Sequence, residues 1–269
     1  LAGLFADGET IVAEPGPSRD HTERWLRWLG VAVERTPGEG PGAGRVALTP
    51  IARPWAGQSF EVPPDFSSAA FLLAAAAVTG SPEVQVACGT NPTRTGFLDV
   101  LAAMGVEVQR RDDPALAASG PEPLAELAVR RSGPLIGAAI SGELTLRAID
   151  ELPLVMALAA FAEGTTELRD AAELRVKESD RLEAMRDVLT AFGVACELRP
   201  DGAIVRGGVP RPAIVDAAGD HRIAMTAAVV GLGAAGVTQI RGAEVVDVSY
   251  PGFVDTLQAL GADAEWVAS

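Results

Sequence analysis

The heptapeptide Arg175-Val-Lys-Glu-Ser-Asp-Arg181 packs three cations around Glu178 just ahead of an amphipathic segment. Leu182, Met185, Val188, Leu189 and Phe192 share one helical face, so their spacing predicts a helix starting near Ser179. Lys177 and Arg181 then sit at a helix N-terminus, where cations oppose the helix dipole and stability alone would favour Asp or Glu. Placing Arg175, Lys177 and Arg181 there makes sense if an anion fills the site. On charge alone, a solvated charged loop is the alternative. Glu178 between cations can give or take a proton, since its neighbours can move a carboxyl pKa either way.

Three acids also stand before predicted helices: Asp65-Phe-Ser-Ser68, Asp150-Glu-Leu-Pro153 and Asp220-His-Arg222. Asp65, followed by Ser67 and Ser68, reads as a helix cap. Asp150 and Asp220 each open a strongly apolar helix and so lie at the rim of a buried element, where free N–H groups and a positive dipole end face an anion. Asp220-His221-Arg222 adds an imidazole and a guanidinium. Arg222 is either a bidentate anion ligand or a salt-bridge partner of Asp216 or Asp220. In Asn91-Pro-Thr-Arg-Thr-Gly96, Arg94 could touch substrate, but its setting favours a surface residue in a turn. In Ser18-Arg-Asp-His-Thr22, Asp20 or Ser18 is expected to cap the following helix.

The same arrangement recurs along the 269 residues. A small-residue helix ends at Gly8, Gly80, Gly164 or Gly236 and a short strand follows. An amphipathic helix then ends at Gly30, Gly105, Gly193 or Gly261, ahead of another strand. The strands expected after the second glycine begin at Val31, Val106, Val194 and Ala262, and further strands are expected at residues 45–48, 127–130, 138–140 and 203–206. The period of roughly 70–85 residues is too long for a solenoid and suits a pseudo-symmetric α/β domain of βαβ-like units. Residues 53–57 and 112–123 read as loops. Leu1-Ala-Gly-Leu-Phe-Ala-Asp-Gly8 reads as the last two turns of a helix. With no initiator Met, the chain is expected to be a fragment of a longer protein.

Composition narrows the function classes. A net charge of −14 excludes nucleic-acid binding through a general basic surface, so a local cation cluster is informative. No run of eighteen apolar residues suggests a membrane span. Cys88 and Cys196 lack metal or redox spacing and fit packing roles in a reducing cytoplasm.

These segments, in this order, resemble the EPSP synthase (3-phosphoshikimate 1-carboxyvinyltransferase) family. The carriers are Arg175-Val-Lys-Glu-Ser-Asp-Arg-Leu182, Asp150-Glu-Leu-Pro153, Asp220-His-Arg-Ile-Ala-Met225, Arg19-Asp-His-Thr22, Asn91-Pro-Thr-Arg-Thr-Gly96 and Ser249-Tyr-Pro251. The likeness is to the bacterial class with Asp-Glu-x-Pro and Arg-Asp-His-Thr. It implies an α+β fold of pseudo-threefold units, the inside-out α/β barrel of enolpyruvyl transferases. Residues 1–63 would be the end of an N-terminal domain and 64–269 a C-terminal domain of three units. It also implies enolpyruvyl transfer from phosphoenolpyruvate to the 5-hydroxyl of shikimate 3-phosphate, with no metal or organic cofactor and a monomeric full-length protein. On that likeness Asp150 is the base, Lys177 touches shikimate 3-phosphate, and Glu178 moves the proton at the phosphoenolpyruvate methylene. Arg181 and Arg222 hold phosphoenolpyruvate, Arg19 holds the shikimate phosphate, and His221 lines the site. Some members carry Lys before the Ser/Thr-aromatic-Pro motif; Val248 stands there. Three alternatives remain: a UDP-N-acetylglucosamine enolpyruvyl transferase, which Lys-Glu-Ser-Asp-Arg argues against; a non-catalytic fragment keeping the fold; and a structural repeat protein using these charges only as caps.

Overall fold

The computed structural model describes all residues except 41, 53–56, 81–83, 113–119 and 268–269. Parts of both expected loops, 53–57 and 112–123, therefore lie outside the described residues.

The chain opens with a 3-10 turn (Ala2–Phe5), not the α-helical end expected there. It continues with β1 (Thr10–Glu14), α1 (His21–Trp28), β2 (Val33–Pro37) and β3 (Gly44–Leu48). Next come α2 (Phe66–Thr79), β4 (Val84–Gly89), α3 (Gly96–Ala103), β5 (Val106–Asp112) and β6 (Leu124–Arg131). The following unit holds β7 (Ala139–Ile140), α4 (Glu143–Arg147), α5 (Leu152–Ala160), β8 (Thr165–Leu168), α6 (Arg181–Ala191), β9 (Ala195–Arg199) and β10 (Gly202–Arg206). The last holds β11 (Ile214–Asp216), α7 (His221–Gly233), β12 (Gln239–Arg241) and α8 (Phe253–Ala259).

The repeat is real, with a connectivity that periodicity alone cannot convey. The sheets run β1-β3-β2, β4-β6-β5, β7-β8-β10-β9 and β11-β12. In the first two, and again with β10, the strand that follows a strand–helix–strand passage inserts antiparallel between the two strands the helix joined. β7 and β11 instead pair in parallel with β8 and β12 across a buried helix. The strand expected at Ala262 is absent, since among the described residues it has no inserted partner to complete a ladder. At Gly105 and Gly193 the chain turns with φ of 86° and 78°, a left-handed conformation that glycine adopts without strain.

The helices lie inside and the sheets outside. Every residue of α5 is buried, and α2 and α7 are buried along most of their length and pack against α5 and each other. Helices apolar on all sides must be enclosed in this way. The four sheets do not hydrogen-bond into one closed barrel among the described residues. A separate small core of Leu4, Leu26, Val31, Val33 and Leu48 sits under β1–β3. No helix is long and apolar enough to cross a membrane among the described residues.

Candidate active site

The N-termini of the three central helices meet. Asp65 caps α2 by accepting the Ser68 N–H at 2.8 Å, as expected, which leaves Ser67 in the first turn facing inward. Asp150 and Glu151 lie in the 3-10 turn that enters α5, whose early Pro153 occupies a position where no N–H is needed. Asp220 caps α7 through the Arg222 N–H at 2.8 Å. The junction is tied across 155 residues of sequence: Arg222 Nη2 donates to Ser67 Oγ at 3.2 Å and Arg222 Nη1 to the Asp150 carbonyl at 3.3 Å. Three helix dipoles thus present positive ends to one place, where an anion is favoured.

Four further cations reach the same place. Arg19 donates to Asp150 Oδ2, and Arg94 Nη1 lies 3.4 Å from that oxygen. Lys177 Nζ and Arg181 Nη1 each stand 3.8 Å from Asp150 Oδ1. Burial by itself would raise the Asp150 carboxyl. The Arg19 hydrogen bond and the fields of Arg222, Arg19 and Arg94 outweigh it and hold the pKa at about 2. Asp150, Lys177, Arg181, Arg222 and Arg19 are therefore brought together as expected. Glu178 sits at the rim, half exposed, accepting from Arg181 Nη2. His221 is half-buried beside them. Burial and then the Arg222 charge lower its pKa, against the pull of Asp220 and Glu178.

Several expectations change. Arg94 is 8% exposed and belongs to the cluster, not to a surface turn. Its Nη2 donates to Ser67 Oγ at 2.6 Å, and its Nη1 lies 3.6 Å from Glu151 Oε2. Arg222 pairs with neither Asp216 nor Asp220 through its side chain; its acidic neighbour is Glu151, 3.6 Å away. Arg175 leaves the group: its guanidinium binds Asp180 and the carbonyls of Pro200 and Arg199, each at 2.8 Å, holding the turn between β9 and β10 against α6. Asp220 is fully enclosed and faces protein: it takes Arg181 Nε at 2.8 Å and Ser179 Oγ at 3.1 Å. Burial would raise Asp220, but the Arg181 hydrogen bond and charge lower it. Asp20 stands at the N-cap position of α1, but neither its carboxylate nor the Ser18 hydroxyl makes a capping hydrogen bond. Ser18 bonds Glu14, while Asp20 bonds Arg24 and the buried Asn91 at 2.8 Å.

Sequence reasoning missed Ser67 and Glu151 outright. One signal was present: Glu151, which the fold encloses completely, directly precedes an all-apolar helix, and an enclosed acid calls for partners. No cluster of His, Cys, Asp and Glu suited to a metal occurs among the described residues.

A sequence profile described as EPSP synthase (3-phosphoshikimate 1-carboxyvinyltransferase) matches residues 1–257. The chain is 47% identical to the 3-phosphoshikimate 1-carboxyvinyltransferase of Pelotomaculum thermopropionicum, over 98% of this chain and 59% of that protein. It is 47% identical to the protein of that name from a Synechococcus species, over 97% and 57% respectively. A solved EPSP synthase from Acinetobacter baumannii superposes with a TM-score of 0.87 at 38% identity, covering 97% of this chain and 58% of the other. The enolpyruvyl transferase NikO from Streptomyces tendae, at 21% identity and a TM-score of 0.68, shares the fold. The chain thus spans about three-fifths of the length of the curated relatives it matches. Cation-rich helix N-termini, a carboxylate held among five basic side chains, and the profile match over nearly the whole chain lead to one assignment: the chain belongs to the EPSP synthase (3-phosphoshikimate 1-carboxyvinyltransferase) family.

Proposed function

We propose that this chain forms one wall of an active site that transfers the enolpyruvyl group of phosphoenolpyruvate to the 5-hydroxyl of shikimate 3-phosphate, giving EPSP and phosphate. The observation that carries the reading is the convergence of Arg19, Lys177, Arg181 and Arg222 on Asp150, at the shared N-terminal end of α2, α5 and α7. Residues 1–63 belong on this reading to an N-terminal domain and 64–269 to the C-terminal domain, with the cleft between them. The whole protein is a cytoplasmic monomer of the shikimate pathway.

The chemistry follows from the charges. Arg181 and Arg222 take the carboxylate and phosphate of phosphoenolpyruvate, and Arg19 takes the shikimate phosphate. Arg19 also covers Asp150 Oδ2, so moving it onto the phosphate removes the hydrogen bond that most depresses the carboxyl and makes Asp150 a stronger base. Asp150 then accepts the 5-hydroxyl proton as that oxygen bonds to C2 of phosphoenolpyruvate. C3 gains a proton delivered at Lys177 and Glu178, giving a tetrahedral intermediate. Loss of a C3 proton to the same pair re-forms the double bond as the C2–O bond to phosphate breaks. His221, adjacent to Arg222, lines the site.

Titration calorimetry tests the reading. Phosphoenolpyruvate should bind the chain in the presence of shikimate 3-phosphate, and Lys177→Ala and the paired variant Arg181→Met with Asp220→Asn, which strands no buried charge, should each abolish that binding with circular dichroism unchanged. Unaltered binding in both variants would sink it and leave these charges as caps. A second reading, a folded chain that binds anions without turning over, is favoured by the three-fifths coverage of the relatives. Single-turnover release of phosphate from both substrates together discriminates against it.

A further inference from the structure

The hydroxyl of Ser67 joins residues brought from three distant segments. Ser67 is 4% exposed. Its Oγ lies 2.6 Å from Arg94 Nη2, 3.2 Å from Arg222 Nη2 and 2.6 Å from Glu151 Oε1. A guanidinium only donates, so both arginines occupy the oxygen's lone pairs. The single hydroxyl proton then has to go to Glu151, and the direction of all three hydrogen bonds is determined. Glu151 is 0% exposed, and its Oε2 has no hydrogen-bond partner among the described residues. Oε2 stands 3.6 Å from Arg94 and Oε1 stands 3.6 Å from Arg222.

Packing alone does not account for this arrangement. A buried carboxyl with one oxygen unserved is destabilising, and an apolar side chain of the same size would fill the space better. Two guanidiniums sharing one acceptor also repel each other. Arg94 and Arg222 are held together at 9% and 15% side-chain exposure because Glu151 lies between them. Arg94 in turn reaches Asp150 Oδ2 at 3.4 Å, and Arg222 reaches the Asp150 carbonyl at 3.3 Å. The same hub therefore sets both the candidate base and the candidate anion ligand.

We infer that Ser67 and Glu151 are positioning residues that lock Arg222, together with Arg94, in the orientation that receives phosphoenolpyruvate. The inference deepens the function proposed above and rests on it. Locking the ligand before binding removes the ordering that a free arginine would undergo on binding, which raises affinity without a new contact.

Nitrogen-15 NMR of the 269-residue chain and calorimetry test it together. In the parent chain, rotation about the Nε–Cζ bonds of Arg94 and Arg222 should be slow enough to give separate Nη signals. In Ser67→Ala those signals should merge. Phosphoenolpyruvate affinity should fall roughly ten- to hundredfold, the loss typical of a hydrogen bond to a charged group. Shikimate 3-phosphate affinity should fall markedly less, because Arg19, which would hold its phosphate, bonds Asp150 and not Ser67. Ser67→Thr, which keeps the hydroxyl, should retain the separate signals. If Ser67→Ala does not fold, Ser67→Cys, with its weak sulfur acceptor, takes its place. Separate signals and unchanged phosphoenolpyruvate affinity in the Ala or Cys variant overturn the inference. So does an equal loss of both ligands, which marks a purely structural role. If the parent chain binds no phosphoenolpyruvate, the substrate reading fails, and the arginine signals alone decide whether Ser67 positions them.

Discussion

Asp220→Ala should bring the chain close to unfolding. Arg181 and Asp220 are 1% and 0% exposed, joined by Nε to Oδ2 at 2.8 Å and Nη2 to Oδ1 at 3.3 Å. Removing the acid leaves a guanidinium inside the protein with two remaining counter-charges, the half-exposed Glu178 and Asp150, which lies 3.8 Å away and is shared with four other cations. Breaking one partner of a buried pair in this way costs about 3–5 kcal/mol. Asp220 also caps α7 at the Arg222 N–H, and losing a cap adds about 1 kcal/mol. Against a domain stability of about 5–15 kcal/mol, this is a large fraction. Urea unfolding followed by circular dichroism reads the change. The paired variant Arg181→Met with Asp220→Asn removes the stranded charge and should recover to within about 2 kcal/mol of the parent, because a buried pair often contributes little net stability. It should still lose phosphoenolpyruvate binding, since Arg181 is gone. A loss under about 1 kcal/mol for Asp220→Ala, or a paired variant no more stable than the single one, would refute the reasoning.

The acid limb of stability should carry a signature of Asp150. Its folded pKa of about 2 lies below its ordinary 3.8, so its contribution is present above pH 4 and is lost as pH falls toward 2. That contribution is about 1–2 kcal/mol after allowance for partial solvent screening, and Asp150→Asn should flatten the limb in pH-dependent urea melts. Gly207→Ala should destabilise by more than about 2 kcal/mol in the same assay, because its Cβ would stand 1.7 Å from the Ala162 carbonyl oxygen, a backbone atom with nowhere to move. A change under 0.5 kcal/mol, the size of an ordinary surface substitution, would show that the β10 exit can shift.

Much of the scaffold was legible locally. Apolar spacing marked α6, and glycines at 105 and 193 marked helix ends, because both signals depend on a few neighbouring residues. Lys177 and Arg181 were legible for a related reason: cations at a helix start conflict with the dipole, and a local conflict points to function. The insertion of β6 and β10 between earlier strands was not legible, since strand partners are chosen across long stretches of chain.

The composition of the site was divided in the same way. Residues 175–181 read as one cationic run, yet two backbone carbonyls near β9 capture Arg175 while Lys177 and Arg181 turn to Asp150. Asp65 and Asp220 both precede helices in sequence, but Asp65 stays largely exposed, 3.8 Å from Arg94, whereas Asp220 is enclosed and holds Arg181 at 2.8 Å. Ser67, Arg94, Glu151 and Arg222 share no local pattern at all. The sequence by itself determined which residues could carry charge, cap a helix or end one, because those properties act over a turn or less. Only the packing of α2, α5 and α7 decided which of them meet, since burial and the reach of a side chain are set by the neighbours the whole fold supplies.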